Sequence, residues 1–144
     1  MRVSEHATSA DQPSVDAVLG PLGAAIMRIL WSEGDTTLTT LIGSLAEERG
    51  APAYTTVTTI LGRLRERGHV VRSRRGREAV YRAAVTEIAL VQMSSERAVD
   101  EIIARYGAPA MRHFAERLAD LDPEVRRQLL ALARTRKPGM DRIG

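Results

Sequence analysis

Five chain breakers, Gly34, Gly50, Pro52, Gly68 and Gly76, cut the stretch from Gly20 to Val85 into short pieces, and the apolar period changes between them. After Gly20-Pro21, Leu22, Ile26, Ile29 and Leu30 recur at helical spacing, and Gly34 supplies the stop. Leu38, Leu41, Ile42 and Leu45 repeat the pattern before Gly50, with Thr36, Thr37 and Thr39 as candidate caps. Val57, Ile60, Leu61 and Leu64 trace a third stripe, closed by Gly68. Beyond Gly68 the helical period ends. Val70 and Val71, then Gly76, then Val80 and Tyr81 read as a two-stranded hairpin with Arg74, Arg75, Gly76 and Arg77 at its tip. Three short helices ahead of any strand, followed by a basic hairpin, predict a winged helix-turn-helix over residues 18–85.

The rest of the chain reads as helix. Thr86 caps a segment reaching about Tyr106, in which Ile88, Val91, Val99, Ile102, Ile103 and Tyr106 form a stripe. A shorter segment carries Met111, Phe114 and Leu118; Asp122-Pro123-Glu124 then starts a last helix with Val125, Leu129 and Leu132. Fewer than 60 residues make a poor independent core. Residues 86–136 are therefore expected to be a dimerisation region, its stripes packing on a second copy. The fold class is mainly α with a small β-hairpin wing. Residues 1–17 are polar and read as a disordered tail, and residues 137–144 as a frayed one. The tail lacks a signal-peptide core, and the apolar run Leu22–Trp31 is too short to span a bilayer; with no cysteine, the expected compartment is the cytoplasm.

Net charge is only +3, but eight arginines between Tyr54 and Val85 face two acids, Glu66 and Glu78, a local +6 that leaves −3 for the remainder. Such a block is the footprint of a polyanion contact. In AYTTVTTILGRLRERGHV, Thr55, Thr59, Gly62 and Glu66 lie opposite the apolar stripe, with Thr58 and Arg63 on its borders. Threonine carries a hydroxyl for hydrogen bonds and a methyl for the thymine C5 methyl. Its helical penalty is at most roughly 0.7 kcal/mol. Thr55, Thr56, Thr58, Thr59 and Gly62 are thus the expected base-reading surface, and Arg63, Arg65, Arg67, Arg72, Arg74, Arg75 and Arg77 the expected backbone contacts. The plainer reading is that Thr55 and Thr56 cap the helix and the others are solvated.

LGPLGAAIMRILW, AYTTVTTILGRLRERGHV and RRGREAVYRAAV, in that order and spacing, resemble the penicillinase-repressor family of bacterial winged-helix regulators. The resemblance spans residues 19 to about 135 and is specific over the first 85. It implies that Thr55, Thr56, Thr59 and Arg63 face a DNA groove, that residues 86–136 dimerise, and that the operator half-sites are similar to TACA and TGTA. Three departures accompany it. The position of the Asn-Phe bond cleaved in methicillin-type members is held by Arg97-Ala98; the cysteine pairs of copper-type members are absent; and the usual Tyr-x-Pro of the wing is Tyr81-Arg82-Ala83, which should loosen the strand end.

No catalytic motif is present, and His6, His69 and His113 are too dispersed to suggest a metal site, so neither an enzyme nor a cofactor is expected. The expected partners are double-stranded DNA and a second copy, with a regulatory protease or effector left unnamed. Two alternatives share the basic block: an interaction module for an acidic protein, and a ligand-sensing winged-helix regulator.

Overall fold

The first helix begins before the Gly20-Pro21 signal. In the computed structural model, which describes residues 14–134, α1 runs Val15–Glu33 and kinks at Gly20, whose φ of 80° takes it out of the helical region. Ser14 caps the start by accepting the Ala17 amide at 3.3 Å, and Val15 is only 1% exposed. Residues 14–17 thus belong to the fold, correcting the expectation of a tail through residue 17; residues 1–13 and 135–144 lie outside the described residues. Two contacts hold the bent arm. Arg28 donates to both Asp16 carboxylate oxygens, one of them at 3.2 Å, and Arg49 donates to the Pro21 carbonyl at 2.6 Å. Twelve residues of straight helix would separate Asp16 from Arg28 by ~18 Å, so this pair exists because of the kink. α1 has the length and apolarity of a membrane span, but Ala24, Ile26, Met27 and Leu30 on it are buried in the protein core.

Gly34, at φ 76°, ends α1 and leads into a feature the sequence reading missed. Thr36–Thr37 form a short strand, β1, so a strand does precede the second helix. Two residues are too few for a period to show. Thr37 also caps α2, Leu38–Arg49, accepting the Thr40 amide at 3.2 Å. α3 follows as Tyr54–Glu66, then β2, Val70–Arg75, and β3, Glu78–Ala83. The sheet has three strands in the order β1-β3-β2, all antiparallel, rather than the two expected. Arg75 pairs with Glu78, which leaves Gly76 and Arg77 as a two-residue turn. Gly76 has φ 66° and no non-glycine residue described has positive φ, a pattern that matches the turn type with glycine at its first central position.

The expected loosening at Ala83 does not occur: Ala83 stays in register with Val70, and the Ala84 amide bonds the His69 carbonyl at 2.8 Å. Tyr81 is 6% exposed and joins Leu41, Leu45, Val57, Leu61 and Leu64 in the core. Trp31 is half-buried against the core and donates its indole N–H to the Val85 carbonyl at 2.8 Å.

α4 spans Glu87–Tyr106, α5 Ala108–Ala119 and α6 Pro123–Arg134. Thr86 accepts the Ala89 amide at 3.1 Å and Asp122 accepts the Glu124 amide at 2.8 Å, the two start signals read from the sequence. The chain divides into two compact units between Glu96 and Arg97, within α4, whereas the sequence reading put the boundary at residues 85/86. The shift has a physical cause: Leu90 on the first half of α4 is buried in the core, and Met93 lies beside Gly68.

Candidate nucleic-acid interface

α3 builds the candidate surface. Val57, Leu61 and Leu64 are buried on one side of it, while Thr55, Thr56, Thr59, Arg63, Arg65 and Glu66 are exposed. The N-cap is Ala53, with no side-chain capping bond, so Thr55 and Thr56 do not cap the helix. Thr58 differs from the other three. It is half-buried, and its hydroxyl donates to the Thr55 carbonyl at 3.0 Å, so its methyl and lone pairs are what it can offer a ligand. Gly62 keeps the outer face low, since a Cβ there would have no atom within 4 Å.

The arginines divide between two flanks of the helix. Arg63 and Arg67 line a recess with Val18, Leu19 and Gly23 of α1, whereas Arg65 lines a cleft with Val70, Val71 and Arg72 of β2. Strand alternation divides the wing in the same way. Arg72 and Arg74 pair with Tyr81 and Ala79, and Arg72 and Arg77 line a second cleft with Tyr54 and Thr58 of α3. Arg75 belongs to the opposite face of the strand, and its guanidinium lies 3.9 Å from the Asp35 carboxylate. The seven arginines expected to act as one class are therefore distributed over distinct surfaces. Tyr54 is 61% exposed at the first position of α3, and a phenol at a helix start is its only sequence signal.

In the unit beginning at Arg97, Val99, Ile102, Ile103, Tyr106, Met111, Phe114, Val125, Leu129 and Leu132 are exposed, as is Leu130, and Leu118 is half-buried. Val91, on the first half of α4, is half-buried. No group able to hold a metal ion is found among the described residues, where His113 has Glu116 at 3.8 Å.

No curated protein matches the chain. Among solved structures it is similar to Bordetella bronchiseptica BpsR, whose DNA binding is regulated by 6-hydroxynicotinic acid: 17% identity over 92% of this chain and 89% of that one, TM-score 0.43. It is similar to a MarR family protein from Bacillus stearothermophilus at 20% identity over 73% and 74% of the two chains, TM-score 0.41. NadR in complex with 4-hydroxyphenylacetate aligns at 19% identity over 84% and 89%, TM-score 0.43. The penicillinase repressor family matches residues 19–134, a span that takes in α3, the wing and all three helices after it. The chain therefore belongs to the penicillinase repressor family of winged-helix, DNA-binding transcriptional regulators.

Proposed function

We propose that the protein is a homodimeric, sequence-specific repressor that inserts α3 of each protomer into successive major grooves of a palindromic operator. The observation that carries this reading is the division of α3. One side is buried in the core, and the other presents Thr55, Thr56, Thr59 and the low Gly62, with arginines on both flanks. Exposed hydroxyls and methyls near the start of a helix suit base edges, and the arginines suit phosphates. The exposed apolar residues of α4, α5 and α6 are assigned to a second copy, and two-fold symmetry then requires matched half-sites. By family likeness these resemble TACA and TGTA. Regulation by a protease, ligand or partner would act on this complex.

Anisotropy titrations against a duplex carrying that palindrome, and against a scrambled duplex, test the proposal. The palindrome should bind about 1,000-fold tighter at physiological salt, with affinity falling steeply as salt rises. Equal affinity for the two duplexes would remove sequence specificity. Weak, salt-insensitive binding to both would leave the basic block to a protein partner.

A further inference from the structure

We infer, resting on the DNA-binding reading above, that one sugar-phosphate strand of the duplex is seated in the trough between α3 and β2, with Arg72 rather than the wing tip as its central contact. Two clefts lie along that flank of α3. One, of about 640 Å³, is lined in part by Thr39, Tyr54, Thr58, Arg72 and Arg77. The other, of about 520 Å³, is lined in part by Gly62, Arg65, Val71 and Arg72. Arg72 is the residue they share. Each backbone strand of B-form DNA separates a major from a minor groove, so a helix in one groove and a hairpin over its neighbour have a strand between them. The trough is where that strand passes.

The charges place its centre. Glu78 lines the first cleft and Glu66 the second, and neither lines both, so an acid lies on each side while Arg72 belongs to the whole trough. Arg75, although nearer the hairpin tip, lines neither cleft and has Asp35 beside it. Tyr54 opens into the first cleft with an exposed phenol, a donor suited to a phosphate oxygen. Arg72 is itself exposed and outside the core, so its removal tests binding and not folding.

The experiment uses the full chain and a duplex that the chain itself enriches from a randomised pool. Arg72→Ala should weaken binding by about tenfold or more, exceed Arg74→Ala, Arg75→Ala and Arg77→Ala, and lower the salt slope by about 1 per protomer. Tyr54→Phe should cause a smaller loss. Methylphosphonate substitution, one phosphate at a time, should reveal a phosphate whose neutralisation weakens the unmodified protein but adds nothing in Arg72→Ala. Arg72→Ala no weaker than Arg75→Ala, with enrichment intact, overturns the seat and leaves the DNA-binding reading standing. Failure of the unmodified chain to enrich any duplex overturns both.

Discussion

At the scale of single residues, Gly62 is the clearest conflict between folding and the proposed function. It lies inside α3, its φ is not positive, and a methyl there would meet nothing within 4 Å. Gly62→Ala should therefore raise stability by about 1 kcal/mol, since glycine is that much poorer than alanine in a helix interior. Gly62→Leu should keep much of that gain but weaken duplex binding, because it raises the floor of the surface proposed to enter the groove. Thermal melts and titrations on the same samples would separate the two effects; tighter binding by the leucine variant would refute the low-face argument. The threonine face was legible in the sequence because helical geometry alone places Thr55 and Thr59 opposite Val57. The situation of Arg75 was not. Its neighbour Asp35 is 40 positions away, brought close only by folding. Asp35→Asn should accordingly raise duplex affinity slightly, a few-fold at low salt and less as salt screens it, as a salt series would show.

At the scale of elements, the bent α1 shows what a local pattern leaves ambiguous. Gly20-Pro21 reads equally as the start of a helix or as a kink within one, and the pairing of Asp16 with Arg28 that marks a kink has no local signature. The two-residue β1 has no local signature for a related reason: its partner, β3, lies more than 40 positions further on. By contrast, the α2 and α3 stripes, the hairpin turn and the caps at Thr86 and Asp122 are short-range features, and these were readable. The hydrogen bonds from Arg28 hold the Asp16 carboxyl below the usual aspartate value of 3.8. A lowered pKa means that this contact stabilises the arm above the ordinary carboxylate range and is lost as pH falls through the lowered value. The Val15 methyl resonances should therefore shift in acid, as pH falls below the ordinary carboxylate range. Asp16→Asn should produce part of that shift at neutral pH and abolish its low-pH midpoint; an unchanged titration would exclude the pair as the tie.

At the scale of the whole molecule, the two units differ in what can hold them folded. The first has a continuous apolar core. Among the described residues from Arg97 to Arg134, none is buried, although α5 and α6 each carry several large apolar side chains. A unit of roughly 40 residues without a core does not stabilise itself. The sequence anticipated this through its stripes and small mass, but a stripe identifies neither its partner nor the order in which its residues pair. On the dimer reading, the missing core is completed by the second copy, so the stability of residues 97–134 should depend on protein concentration. Phe114→Glu and Leu129→Glu test that dependence at positions 63% and 40% exposed in the single chain, where a charge would be tolerated if nothing covered them. Sedimentation should show each variant as a monomer, with helix content reduced. Duplex affinity should fall about 100-fold or more, since the second half-site would no longer be reached by a tethered α3. Unchanged mass and binding in both variants would exclude those helices as the dimer contact. Monomers that still bind the full palindrome at undiminished affinity would instead break the link between dimer symmetry and operator symmetry.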